Sequence, residues 1–250
     1  MSSTPRLAGQ AALVTGAARR VGAQIVRTLH AEGARVMIHC HRSVAGAQRL
    51  AEELNGVRAD SAAVLCADLC DTAGLPRLVA QTCERFGGLN LLINNASTFY
   101  ATPLGSISLP QWQDLIGTNL QAPLFLAQAA APALKLSRGA VLNIVDIHGL
   151  RPLRAHPVYS VAKAGLIMLT RALARELAPE VRVNAIAPGA VLWPEAGMDD
   201  ARKQRILEQT PLHRPGSPAD IARTVLFFAA EAPFVTGQIL AVDGGRSIGW

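Results

Sequence analysis

The chain has 250 residues, half of them hydrophobic and only 17% charged, which excludes a disordered polymer and suits one α/β unit whose sheet is buried from both sides. Aromatic residues make up just 4%, so the core must rest on Ala, Val, Leu and Ile. Lys and Arg outnumber Asp and Glu by 24 to 18, a net charge of +6 with a pI near 9.7, but the basic residues are scattered without a like-charged run, which argues against a nucleic-acid partner.

Met1–Gln10 is short and polar, and no uninterrupted apolar run approaches the roughly 18 residues of a membrane span. A soluble, cytoplasmic protein with no membrane partner is expected. Gln10–Thr15 is an apolar run that predicts a strand and ends in Thr-Gly. Arg19–Glu32 follows with helical spacing of Val21, Ile25, Val26 and Leu29, and stops at Gly33. Arg35–His39 predicts a second strand and Ala45–Leu54 a helix. Ser61–Cys66, Leu89–Asn94 and Ala140–Val145 read as further strands, with helices at about Ala73–Phe86 and Gln111–Lys135 between them. Then come helix Val158–Leu177, strand Arg182–Ala187, helical segments near Asp199–Gln209 and Pro218–Ala230, and a last strand Gln238–Val242. Seven continuous apolar strands separated by helices predict a single doubly wound Rossmann domain over residues 1–250, a parallel sheet with helices on both faces. Pro188–Pro218, rich in Pro and Gly, predicts a mobile loop over a site. Cys40, Cys66, Cys70 and Cys83 lack zinc-site spacing and read as reduced core thiols, so no metal is expected.

The first strand runs into Thr15-Gly16-Ala17-Ala18-Arg19-Arg20-Val21-Gly22 at the mouth of a helix. Gly16 permits a tight turn, Gly22 permits close packing of helix on strand, and the helix N-terminus offers N–H groups to a pyrophosphate. Arg20 stands where a plain dinucleotide turn has a middle glycine, and either lies in solvent or reaches an anion, cofactor phosphate or substrate. The second strand ends in His39-Cys40-His41-Arg42-Ser43. An NAD-preferring site would place an acid there for the ribose 2′-hydroxyl; His41, Arg42 and Ser43 supply donors for a 2′-phosphate, which favours NADPH. Asp68 and Leu69 follow the third strand, where an acid and a main-chain amide can hold the adenine edge, although Asp68 or Thr72 could instead cap the next helix.

Asn94-Asn95-Ala96-Ser97 follows the fourth strand, and Asp146 follows the fifth. Tyr159 and Lys163 lie four apart at the start of an apolar helix and so share one face. An ammonium beside a phenol is expected to lower its pKa from about 10 toward neutrality, making it a usable proton donor.

Thr15-Gly16 through Gly22, Asn94-Asn95-Ala96, Asn119, Tyr159 with Lys163, Pro188-Gly189, Val235-Thr236-Gly237 and Val242-Asp243-Gly244-Gly245 together resemble the short-chain dehydrogenase/reductase family over essentially the whole chain. The resemblance implies that Tyr159 is the proton donor, that Lys163 binds the nicotinamide ribose, and that Asn119 holds a water in a proton relay. Gly16, Arg19, Arg20, Val21, Gly22, Asn95, Ala96, Ser97, Pro188 and Gly189 are its implied cofactor contacts. It also implies a homotetramer, with Gln111–Lys135 and Val158–Leu177 at one interface. The family's usual Ser, about 13 residues before the Tyr, is replaced by Asp146. With Arg20, His41-Arg42-Ser43 and Ser97-Thr98-Phe99-Tyr100, that replacement resembles the pteridine reductase branch. There the residue matching Phe99 stacks a pterin against the nicotinamide, those matching Ser97 and Arg20 contact cofactor phosphate and pterin, and the Asp assists the Tyr in proton delivery. Reduction of a dihydropterin or dihydrofolate by NADPH is the leading expectation. A carbonyl or ketoacyl reductase of the same superfamily and a non-catalytic NADPH-binding sensor remain open. His148, Leu150 and Trp193 are candidates to line the pocket, and His156 and His213 carry no signal.

Overall fold

The computed structural model describes residues 5–193 and 199–248. Its framework is one sheet of seven parallel strands, β1 (Ala11–Val14), β2 (Arg35–Cys40), β3 (Ala62–Cys66), β4 (Leu91–Asn94), β5 (Ala140–Ile144), β6 (Arg182–Pro188) and β7 (Ile239–Val242), in the order β3-β2-β1-β4-β5-β6-β7. The helices are α1 (Arg20–Ala31), α2 (Val44–Val57), α3 (Leu75–Phe86), α4 (Leu109–Ile116), α5 (Ala122–Ser137), α6 (Pro157–Glu176), α7 (Asp200–Glu208) and α8 (Pro218–Leu226).

Successive residues of a strand point to opposite faces, and here each face meets its own apolar layer. Ala12 and Val14 of β1 join Ile25 of α1, Leu50 of α2 and Ile221 of α8. Ala11 and Leu13 join Leu78 of α3 and Leu126 of α5 on the other side. Both faces being covered, the strands carry no polar alternation, which is why they read as unbroken apolar runs. No helix among the described residues is long and apolar enough to cross a membrane.

The chain winds outward from β1 to β3, then crosses back to place β4 on the opposite side of β1. The C-terminal ends of β1 and β4 therefore diverge at a topological switch point, where open α/β sheets form their crevice. Thr15 and Asn95 hold its two lips together. The Thr15 hydroxyl oxygen accepts from the Asn95 and Ala96 amides at 3.0 Å each, and Asn95 Nδ2 donates to the carbonyls of Thr15 (2.9 Å) and Gly16 (3.0 Å).

The expected continuous helix Gln111–Lys135 is instead interrupted. α4 passes into a wider π turn at Gly117–Gln121 before α5 begins. Pro123 is the physical reason: it has no N–H to give the Asn119 carbonyl, and the Ala122 amide reaches back five residues to Gly117. Within Pro188–Pro218, α7 occupies the helical segment expected near Asp199–Gln209, and residues 194–198 of that stretch fall outside the described residues. α3 starts at Leu75, capped by Gly74, so neither Asp68 nor Thr72 caps it. The thiols are not all in the core: Cys40 is buried, but Cys66 and Cys70 are exposed.

Candidate active site

Two adjoining cavities open along the C-terminal edge of the sheet. The inner one, about 920 Å³, follows the turn after β1. Gly16 adopts φ +60° against Ala96, where an added Cβ would come within 2.8 Å of the Ala96 Cα. At Gly22 a Cβ would lie 2.4 Å from the Gly16 carbonyl oxygen, so only glycine lets α1 approach the turn this closely. α1 begins without a side-chain cap and without an acid in its first turn, which leaves its positive end suited to an anion. Arg19, Arg20 and Val21 line the same cavity. Arg20 takes a left-handed backbone (φ +54°), and its guanidinium donates to the Trp193 carbonyl at 3.3 Å, tying the turn to the segment after β6.

His39 fixes the turn from below. The Gly16 amide donates to its Nδ1 at 3.2 Å, so Nε2 carries the proton and donates to the Ala67 carbonyl at 3.2 Å. Burial pushes its pKa down to about 4. Beyond it, His41, Arg42 and Ser43 line the cavity. Across from them, Asp68 accepts from the Cys70 amide at 2.9 Å and lies 4.0 Å from His41 Nε2, with Leu69 beside it. Asn95, Ala96, Ser97, Pro188 and Gly189 complete the walls. A bare helix end and a glycine cradle fit the pyrophosphate of a nicotinamide dinucleotide, and the cations at the tip of β2 line the same cavity.

Tyr159 stands where the two cavities meet. Its hydroxyl donates to Asp146 Oδ2 at 2.7 Å, and Asp146 Oδ1 accepts from the His148 amide at 2.8 Å. Lys163 lies one helical turn on, fully buried, with Nζ donating to the Ile144 carbonyl at 3.0 Å and sitting 5.7 Å from the Tyr159 ring centroid. The expected acidification of the phenol is overturned. Burial first, then the Asp146 carboxylate, raise the Tyr159 pKa well above 10, with only the Ser97 hydroxyl opposing. Lys163 gives one of its three N–H donors to the Ile144 carbonyl, and its own pKa is lowered by burial to about 8. Asn119, in the π turn, is also fully engaged: its Nδ2 donates to the carbonyls of Thr98 (3.0 Å) and Leu115 (2.9 Å), while its Oδ1 accepts from Ser97 Oγ at 2.6 Å.

The outer cavity, about 650 Å³, shares Phe99, Asp146, Tyr159, Gly189 and Leu192 with the inner one. Phe99 is 51% exposed, with its ring edge-on to Tyr159 at 4.8 Å. Its ring also lies parallel to that of His156, 4.8 Å between centroids and 10° between planes.

A family model described as enoyl-(acyl carrier protein) reductase matches residues 16–247. Pteridine reductase 1 of Leishmania tarentolae is 34% identical, over 95% of this chain and 96% of its own. The chain belongs to the short-chain dehydrogenase/reductase family. Other relatives in that family act elsewhere by name. A 3-oxoacyl-(acyl-carrier-protein) reductase of Staphylococcus aureus is 35% identical, over 94% of this chain and 97% of its own. A trans-4-hydroxycyclohexanecarboxylate dehydrogenase of Sinomonas cyclohexanicum is 35% identical, over 98% and 95%. As a family member the chain is an oxidoreductase working with a nicotinamide cofactor.

All the residues expected at the family's cofactor and catalytic positions converge on the two cavities or, like Asn119, hydrogen-bond to their lining. His148 and Trp193 line the outer one as expected, whereas Leu150 is 49% exposed and lines neither. His156 was missed: without a sequence signal, it lines the outer cavity and braces Phe99. Its one legible cue is its place just before Pro157, which opens α6 and sets the entry angle of the chain.

Proposed function

We propose that this family member reduces a dihydropterin, or the related dihydrofolate, to its tetrahydro form with NADPH. The observation that carries this reading is the half-exposed Phe99 ring on the wall common to both cavities, edge-on to Tyr159. A flat heterocycle laid on that ring meets the Tyr159–Asp146 pair at its edge, with Ser97 as a further polar partner. Arg20 supplies positive charge on the side of the phosphate turn. NADPH is preferred because His41, Arg42 and Ser43, and no carboxylate, follow directly on β2.

When bound, the reduced nicotinamide supplies a hydride equivalent to the ring carbon. The protein supplies the proton for the ring nitrogen from Tyr159. When Asp146 carries a proton of its own, the Tyr159 O–H turns into the cavity and donates; the Asp146 proton then passes to the phenol oxygen. No bare phenolate is left in the buried site, and the pair ends as Tyr159 O–H on the Asp146 carboxylate, the 2.7 Å hydrogen bond described above. The pair regains its second proton from solvent. Lys163 presents its ammonium to the ribose hydroxyls, and Asn119 holds Ser97 in place beside the phenol.

A ketone reductase is the second reading, supported by the 35% identity to the oxoacyl reductase, one point above the 34% to the pteridine reductase. Purified protein assayed with NADPH against dihydrobiopterin, dihydromonapterin, dihydrofolate, a 3-oxoacyl thioester and simple ketones separates them. Turnover of the pteridines is expected. Turnover of ketones alone replaces the first reading by the second, and tight NADPH binding with no turnover of any compound leaves a binding protein.

A further inference from the structure

The far wall of the outer cavity is built by α7, a helix that buries no residue. Its acids are used within the helix itself. Asp199 accepts from the Arg202 amide at 2.6 Å as N-cap, Asp200 pairs with Lys203 at 2.9 Å, and Glu208 accepts from Gln204 at 3.3 Å. Arg202 and Arg205 remain. They stand three apart on one face, both line the cavity, and among the described residues no carboxylate pairs with either guanidinium. Arg246 and His148 add to the basic lining, and among the described residues Asp146, already committed to Tyr159, is the only acid that lines this cavity. A volume of about 650 Å³ falls in the range of sites that take ligands of roughly drug size, and so leaves room beyond a bicyclic ring stacked on Phe99.

We infer that Arg202 and Arg205 clamp an anionic group, carboxylate or phosphate, that the substrate carries on the side away from its reacting ring. This rests on the pteridine reading above and sharpens it: the preferred substrate is an anionic-tailed pteridine, not a neutral pterin. Two planar, always-charged guanidinium forks a helical turn apart suit a carboxylate or a phosphate ester, and the charge acts in binding, before any chemistry.

The test compares kcat/KM for dihydrobiopterin (neutral), dihydrofolate (carboxylate tail) and a dihydropterin phosphate ester, in wild type, R202A/R205A and R202K/R205K. Wild type is expected to favour one anionic class over the neutral pterin by at least tenfold, through KM, and which class it favours identifies the tail. R202A/R205A is expected to collapse that ratio toward one, and R202K/R205K to keep part of it. Calorimetric binding of p-aminobenzoylglutamate and of inorganic phosphate to the NADP-loaded protein gives a readout independent of turnover, lost in R202A/R205A. A damaged fold would lower all substrates together and leave the ratio intact, which overturns the clamp, as does a wild type indifferent to charge. If wild type reduces neutral dihydropterin without preference, the clamp fails while the pteridine reading stands; if it reduces no pteridine at all, both fall.

Discussion

The imidazole of His156 lies flat on the ring of Phe99, the two planes only 10° apart. An exposed phenyl ring is thereby fixed in orientation on one side. Stacked aromatic pairs contribute about 0.5–1.5 kcal/mol beyond area burial, enough to hold one rotamer. His156→Ala is expected to raise KM for a flat substrate about 2- to 10-fold with a smaller change in kcat, and His156→Phe to restore it. Steady-state kinetics on the three proteins checks this; a KM unmoved by His156→Ala would show that Phe99 needs no brace.

The Tyr159 hydroxyl donates to Asp146 Oδ2 at 2.7 Å, and the proposed mechanism passes the substrate's proton through this pair. Asp146→Asn keeps a hydrogen-bonding group of the same shape but cannot pass on a proton. It is expected to lower kcat roughly 10²- to 10⁴-fold, the usual range for a lost general acid, while cofactor affinity stays within a few fold. Tyr159→Phe should cost at least as much. Single-turnover rates alongside fluorescence titration with NADPH separate the two effects.

Lys163 gives activity and stability opposite pH dependences. Its pKa falls from the ordinary 10.5 to about 8 on folding, because burial disfavours the ammonium. As pH rises through about 8 the charge is lost, so kcat/KM is expected to fall on an alkaline limb there. Between pH 8 and 10.5 the unfolded chain binds more protons than the folded one, so this contribution to stability grows with pH, by about 3 kcal/mol in all. Urea unfolding of wild type and Lys163→Met across that window checks the sign: the difference between them should shrink or reverse as pH rises.

His39 behaves as an acid-side counterpart. Its folded pKa of about 4 lies below the ordinary 6.5, so its contribution is whole above pH 6.5 and is lost as pH falls through 4. That loss is about 3 kcal/mol at most, and protonation also breaks the bond from the Gly16 amide. His39→Asn, which offers an acceptor and a donor without titrating, is expected to flatten the stability curve between pH 6.5 and 4. Thermal melts over that range measure it.

Arg42→Ala is expected to weaken NADPH binding by roughly 10- to 100-fold, the worth of a hydrogen bond to a charged group, and to leave NADH nearly unaffected. Fluorescence titration with both nucleotides decides the preference. Equal losses for both would place Arg42 away from the 2′-phosphate.

The alternation of apolar runs and helical stretches made the sheet, its strand number and the phosphate turn legible, because parallel strands buried on both faces leave that mark. The π turn was not legible, since helical spacing continues on both sides of Pro123 and only the ladder shifts. The role of His156 was not legible beyond its place before Pro157, because its partner Phe99 reaches it through a loop contact and not through any periodic pattern. The proton affinity of Tyr159 came out with the opposite sign. Spacing told that Lys163 shares its face, but not that the ammonium is anchored on the Ile144 carbonyl while a carboxylate takes the hydroxyl.

Five residues belong to both compartments, so a molecule settled in the first becomes flooring for the second. Whatever filling one compartment does to affinity in the other, the reverse effect is equal in size. The nucleotide's chamber and the reducible partner's share a wall that includes Phe99, Asp146 and Tyr159. Ordered turnover with the nucleotide leading is the expected outcome, checked by product-inhibition patterns and by comparing the second ligand's affinity with and without bound nucleotide.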